Sequence, residues 1–175
     1  MLRGMGRVDG WRYCPCCATE LVHQPERVEC LACGFVTHSN SEPTASAPVV
    51  DAEGRLLLVR RAHDPFAGTW DLPGGFLEEA EHPLDALRRE LLEETGLEVE
   101  PVEFAGARLD RYGEKPDAAT TLNLYWTARI VGGEPQAGDD AAELRWFPRD
   151  ALPPDGEIGF PNVREVLRAW RDGRG

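Results

Sequence analysis

The chain has 175 residues, 42% hydrophobic and 29% charged, with a formal net charge of −12. That length suits one ordinary domain plus a small accessory module, and the balance excludes a disordered chain. No apolar stretch approaches the roughly 20 residues needed to cross a bilayer, and the first residues lack the apolar core of a secretory leader, so the sequence predicts a soluble cytoplasmic protein with no membrane partner.

Residues 1–40 carry Arg3, Arg7, Arg12 and Arg27 against Asp9, Glu20, Glu26 and Glu29, and sum to zero. The whole negative excess lies beyond residue 40. A field of that sign repels a nucleic-acid polymer but admits a small phosphorylated ligand where cations neutralise the site. All five cysteines fall within residues 14–33. Cys14 with Cys17, and Cys30 with Cys33, form two C-x-x-C pairs. Each pair can make a knuckle that brings two thiolates to about 2.3 Å from one zinc, and four such ligands close a structural site with no open position. Cys16 can compete for the metal, and His23 and His38 are outside candidates. About 40 residues bury too little surface to fold unaided, so the metal would supply much of the folding free energy. Two disulfides are the rival arrangement, and they fit poorly with a chain lacking a secretory leader. A structural or dimer-forming role suits this neutral module better than nucleic-acid binding.

The polar, proline-bearing stretch H-S-N-S-E-P-T-A-S-A-P (residues 38–48) reads as a connector, with the domain boundary between residues 40 and 41. A-P-V-V then reads as a strand, D-A-E-G as a turn, and R-L-L-L-V-R-R as a buried strand. Pro83 and Gly96 bracket a helix over residues 83–95, with Leu84, Leu87 and Leu91 as its buried stripe. T-T-L-N-L-Y-W-T-A-R-I-V alternates, with Leu122, Leu124, Trp126, Ala128 and Ile130 on one face. E-L-R-W-F reads as another strand. Phe160, Val163, Leu167 and Trp170 mark a C-terminal amphipathic helix. This order suggests a mixed sheet with helices packed on it, in the α/β (α+β) class.

The helix over residues 83–95 ends in R-E-L-L-E-E-T-G. Three glutamates, Glu90, Glu93 and Glu94, crowd the negative pole of its dipole and face one another three and four residues apart, which is unfavourable. Glu90 and Glu94 flank the buried stripe, and Glu93 lies one step further round. Converging carboxylates beside the glycine loop Gly74–Gly75 suit a hard divalent cation, Mg²⁺ or Mn²⁺, which relieves both the repulsion and the dipole penalty.

From Gly75 to Leu97 the chain fits, without a gap, the spacing Gly, five residues, Glu, seven residues, Arg-Glu, an aliphatic, any residue, Glu-Glu, any residue, Gly, an aliphatic. Gly75, Glu81, Arg89, Glu90, Leu91, Glu93, Glu94, Gly96 and Leu97 fill it. This resembles the Nudix box, and the likeness extends over most of residues 45–172. The resemblance implies an α/β/α sandwich around a mixed sheet (residues 41–175), preceded by a small zinc ribbon (residues 1–40). It implies a metal-dependent pyrophosphohydrolase acting on a nucleoside diphosphate linked to a further group. The Gly75 carbonyl, Glu90 and Glu94 would be the principal Mg²⁺ or Mn²⁺ ligands, with Glu93 a ligand directly or through water. Arg89 would orient a glutamate, and Glu81 would brace the loop. Arg61 resembles a substrate-phosphate contact, and Asp140 best matches a later acid that serves as base or ligand, with Glu143 in reserve. Trp70 and Tyr112 are candidates for stacking on a base or for packing; His63 and His82 carry no signal.

A ribbon ahead of a Nudix domain resembles the NADH pyrophosphatases and some FAD pyrophosphatases. The Ser-Gln-Pro-Trp-Pro-Phe-Pro tract of the NADH enzymes is replaced here by V-E-F-A-G-A-R-L-D-R-Y-G-E-K-P. The phrases G-T-W-D-L-P-G-G-F-L-E and I-G-F-P-N-V-R-E-V-L-R-A-W are similar to proteins grouped with ADP-ribose pyrophosphatases. The expected substrate is therefore ADP-ribose or a dinucleotide such as NADH or FAD. A (deoxy)nucleoside triphosphate pyrophosphatase is the second reading, and a non-catalytic nucleotide sensor is the third. The resemblance to Nudix proteins, many of which dimerise, makes a homodimer through the ribbon an open alternative.

Overall fold

The structure is a computed structural model describing residues 8, 10–115 and 118–173. Two compact units emerge. One comprises Met1–Glu42 with Arg111–Thr121, and the other Pro43–Asp110 with Leu122–Gly175. The segment 111–121, which the sequence groups with the second domain, keeps its contacts with the N-terminal unit.

The N-terminal unit holds an antiparallel sheet of three short strands, β1 (Val22–Gln24), β2 (Arg27–Glu29) and β3 (Val36–His38), in that order. Its core is small: Val8, Cys14, Leu21, Val28 and Cys30, with Phe35 packed against them.

The second unit is built on strands β4 (Glu42–Ser46), β5 (Leu56–Arg61), β6 (Trp70–Asp71), β7 (Gly74–Phe76), β8 (Leu97–Arg111), β9 (Thr120–Gly133) and β10 (Ala141–Phe147). They form two sheets, ordered β10-β5-β6 and β7-β4-β9-β8. Isolated bridges link the sheets: Val49 with Ala128 in parallel and Val50 with Leu56 antiparallel. The strand predicted at A-P-V-V is displaced to β4, inside the predicted connector. Its alternation is hidden because the buried side chains are small: Thr44 and Ala45 are buried, and Thr44 Oγ1 donates to Asn123 Oδ1 at 2.8 Å. The predicted glycine loop at Gly74–Gly75 is likewise a strand, with Gly75 opposite Ala45.

The α-helices are α1 (Pro83–Thr95) and α2 (Pro161–Arg171). In α1, Ala86, Leu87 and Leu91 are fully buried and Leu84 only half so. They join Ala45, Ala47, Val49, Leu57, Leu97 and Val99 in one core, with Trp126, Ala128 and Ile130 of β9 packed against it. Burying each of Leu87 and Leu91 contributes about 1.5–3 kcal/mol. The other face of β9 carries Tyr125, which is 2% exposed and whose hydroxyl accepts a hydrogen bond from Asn162 Nδ2 of α2 at 3.0 Å. The two helices therefore cover opposite faces of β9, which is the α/β/α sandwich. The most buried side of β9 is that of Thr121 and Tyr125, whereas Leu122 and Leu124 remain half-exposed. Among the described residues, no helix is long and apolar enough to cross a membrane.

Candidate active site

The acidic end of α1 is stabilised by backbone groups where no basic side chain is available. Gly96 takes the left-handed conformation (φ 70°) and its N–H donates to Leu92 O at 2.9 Å. The carbonyls of Glu94 and Thr95 accept N–H groups from Gly138 at 3.0 Å and Gln136 at 2.8 Å. At the other end, Pro83 begins the helix and the His82 side chain accepts from Leu84 N–H at 3.2 Å, so His82 has a capping role.

Arg89 organises the carboxylates. Its Nε and Nη2 grip both oxygens of Glu81 at 2.8 Å, and Nη2 also donates to Phe76 O at 3.1 Å. Nη1 donates to Glu90 at 2.8 Å and Glu93 at 3.2 Å. These bonds use the full donor capacity of a guanidinium. They raise the Arg89 pKa beyond its ordinary value, the Glu81 bonds most. Glu81 in turn is drawn down to about 2, first by Arg89 and then by the Glu78 N–H.

Glu90 and Glu94 lie against the two glycines of β7. The Glu90 carboxylate sits where a Cβ on Gly75 would fall 2.4–2.6 Å from its atoms, and a Glu94 oxygen accepts Gly74 N–H at 2.9 Å. Burial raises the pKa of Glu90, with Arg89 opposing. Burial pushes Glu94 up to about 8, opposed by the Gly74 N–H and reinforced by the charges of Asp71 and Glu90. Asp71 is a neighbour that sequence reading missed. Burial pushes it up to about 6 against the attraction of Arg61. The only signal for it was an acid in the otherwise apolar run W-D-L-P. Half-buried carboxylate oxygens whose ionisation is disfavoured by desolvation are a donor set that fits Mg²⁺ or Mn²⁺.

Arg61 is 19% exposed and already engaged: Nε donates to Pro65 O at 2.8 Å, Nη1 to Asp71 at 3.4 Å, and the guanidinium lies 5.2 Å from the Phe160 ring centroid. Asp140 is exposed, with His63 Nε2 3.7 Å away. Glu143 is tied to Arg60 and Arg145 on the strand surface. Trp70 is buried edge-on against Phe147, which makes it a packing residue. Tyr112 lies in the segment grouped with the N-terminal unit.

In that unit, the Sγ atoms of Cys14, Cys17, Cys30 and Cys33 all lie within 4.8 Å of one another. Cys17 and Cys30 are 3.4 Å apart, and Cys14 and Cys33 3.6 Å. A tetrahedron with metal–sulfur bonds of about 2.3 Å has edges of about 3.8 Å, whereas a disulfide needs about 2.05 Å. The two knuckles share one backbone pattern. Ala18 and Gly34, both left-handed, donate to the carbonyls of Cys14 and Cys30, whose own N–H groups donate to Thr19 and Phe35. Such close sulfurs do not ionise together without a cation. Hydrogen bonding from Thr19 draws Cys17 down to about 6, while Cys33, although lowered by the Phe35 N–H, is pushed up to about 12 by Cys17 and Cys14. The set fits zinc. Cys16 is exposed and outside the cluster, and the His23 ring is engaged with Trp11 O at 2.8 Å.

The sequence matches the family model for the NUDIX domain over residues 40–167, so the chain belongs to the Nudix family of hydrolases. An ADP-ribose pyrophosphatase from Methanocaldococcus jannaschii is 30% identical over 128 residues, 71% of this chain and 72% of that one. The NAD-capped RNA hydrolase NudC from Pseudomonas aeruginosa is 32% identical over 161 residues; these are 90% of this chain but 53% of the relative, so the chain spans about half its length. A NUDIX hydrolase structure from Nitrosomonas europaea superposes with a TM-score of 0.77 at 24% identity, covering 94% of this chain and 92% of that one, and supports the fold.

Proposed function

We propose that this chain is a metal-dependent pyrophosphohydrolase that cleaves the diphosphate of a nucleoside diphosphate linked to a further group, ADP-ribose or a dinucleotide such as NADH or FAD. The observation that carries the reading is the pairing of Glu90 and Glu94 with Gly75 and Gly74, where half-buried carboxyls are shifted against ionisation. Glu90, Glu94 and the Gly75 carbonyl hold Mg²⁺ or Mn²⁺, and Glu93 adds a contact directly or through water. Cations held there offset charge on the phosphoryl oxygens and acidify water. Arg89 keeps Glu90 and Glu93 aimed at the corner and Glu81 anchors Arg89, so these two act by orientation. Arg61 contacts a substrate phosphate, with Asp71 and Pro65 O fixing its guanidinium. Asp140 is the later acid, serving as base or ligand.

In the same reading, residues 1–40 form a zinc ribbon with Cys14, Cys17, Cys30 and Cys33 as ligands, and residues 41–175 the hydrolase domain. The partner is a small nucleotide rather than a polymer, and the protein acts in the cytoplasm. The relatives named ADP-ribose pyrophosphatase and NAD-capped RNA hydrolase support this substrate class, and a relative from Mycobacterium tuberculosis named putative 8-oxo-dGTP diphosphatase supports the second reading, a triphosphate substrate. Purified protein with Mg²⁺ is offered ADP-ribose, NADH, FAD, dinucleoside polyphosphates and deoxynucleoside triphosphates. Cleavage of a diphosphate bond that Glu93→Gln and Glu94→Gln abolish supports the proposal. Exclusive turnover of triphosphates moves the protein to nucleotide-pool sanitation. No cleavage, or cleavage indifferent to both changes, refutes it in favour of a sensor.

A further inference from the structure

Among the described residues, two glycines would set a Cβ into close contact with α1 although neither has a left-handed φ. Gly75 is one, and there the neighbour is the movable Glu90 carboxylate. Gly138 is the other: a Cβ there would fall 2.0 Å from Glu93 O and 3.3 Å from Glu94 Cα. Backbone conformation does not demand glycine at 138, so close approach to the helix does. The approach has a use. Gly138 N–H donates to Glu94 O and Gln136 N–H to Thr95 O, satisfying carbonyls that the end of a helix leaves without internal partners. The chain turns at once, with Ala141 N–H donating to Gly138 O at 3.1 Å, and Ala62 N–H fixes Asp140 O at 3.0 Å. The backbone at Asp140 is thus held on one side by α1 and on the other by the end of β5, while its carboxylate stays exposed.

We propose that Gly138 is a positioning residue. By letting residues 134–138 lie directly on the last turn of α1, it sets where the Asp140 carboxylate stands relative to Glu93 and Glu94. The inference rests on the reading of Asp140 as base or ligand. The loop bonds to the same backbone segment, Glu93 to Thr95, from which two box glutamates project, so the later acid is referenced to the metal corner through two residues of chain. An alanine at 138 must lift the loop by roughly an ångström to restore ordinary contact, and the two hydrogen bonds to α1 lengthen with it.

The test uses the full chain, saturated with Mg²⁺, and whichever of ADP-ribose, NADH, FAD or a deoxynucleoside triphosphate the parent cleaves fastest. Gly138→Ala is expected to lower kcat about 100-fold and to leave KM within about threefold. Asp140→Asn lowers kcat as well, and the double variant is no slower than Asp140→Asn alone. Inserting one glycine between Gly138 and Asp139 keeps the contact with α1 but displaces Asp140, so it reproduces the kcat loss; this variant decides the matter if Gly138→Ala fails to fold. Parental kcat in Gly138→Ala or in the insertion variant overturns the proposal, as do losses that multiply in the double variant. Parental kcat in Asp140→Asn removes the reading of Asp140 on which the proposal stands, and a parent that cleaves none of the substrates removes the enzyme reading first.

Discussion

Replacing Glu94 with glutamine isolates the free energy stored at the acidic corner. In the metal-free fold the Glu94 carboxyl is pushed from 4.5 to about 8 by burial. Between those values the folded chain keeps a proton that the unfolded chain has released, so its stability falls as pH rises across that window and is lowest above pH 8. The ceiling is the shift of about 3.5 units at 1.36 kcal/mol each, about 5 kcal/mol; relaxation of the site and its coupling to Asp71 and Glu90 bring the expected loss to about 2–4 kcal/mol. Glutamine has the shape of the protonated acid and no titration. Glu94→Gln without divalent cations is therefore expected to match the parent near pH 4.5 and to exceed it by about 2–4 kcal/mol at pH 8.5. Urea unfolding followed by the fluorescence of buried Trp70 and Trp170 reads this out. Chelators are avoided so that any metal held by the four cysteines is undisturbed. Added Mg²⁺ restores the parent at pH 8.5 and leaves the variant unchanged. Parallel stability curves for parent and variant from pH 4.5 to 8.5, or a parent that gains stability over that range, refute the reasoning.

Gly75→Ala drives a methyl into the Glu90 carboxylate; Mn²⁺ affinity and kcat are expected to fall about 10–100-fold, measured by titration calorimetry and steady-state kinetics, with the fold retained. Arg89→Lys exchanges the two-pronged grip on Glu81 for a single ammonium, and kcat should drop about 100-fold with KM little changed. Cys14→Ser should eliminate stoichiometric zinc by atomic absorption and collapse the amide dispersion of residues 10–42, whereas Cys16→Ser retains both; zinc surviving Cys14→Ser contradicts the four-cysteine site.

The parts of this fold legible in the sequence were those where one physical signal dominates. α1 announced itself through Pro83, Gly96 and the leucine spacing, and β5 through an unbroken apolar run. β4 was hidden because its buried residues are Thr44 and Ala45, whose small side chains give no hydropathy signal, and Pro43 reads as a breaker. β8 was missed because the residues of A-G-A are small and Val102, Phe104 and Leu109 stay exposed. β9 was found but its deeper face was misjudged, because Tyr125 counts as polar in a pattern and becomes buried only once Asn162 meets its hydroxyl. At the candidate site the box glutamates are near neighbours in sequence, so helical geometry foretold their shared corner. Asp71 and Gly138 reach that corner through tertiary contacts 20 or more residues distant, and nothing local marks them.

The most direct trial of the central idea is anomalous diffraction from a crystal soaked in Mn²⁺ with a non-hydrolysable ADP-ribose analogue. Manganese peaks are expected within coordination distance of carboxylate oxygens of Glu90 and Glu94 and of the Gly75 carbonyl, bridged to the diphosphate. Manganese bound elsewhere, with Glu90 and Glu94 carrying no metal beside an ordered diphosphate, would contradict it.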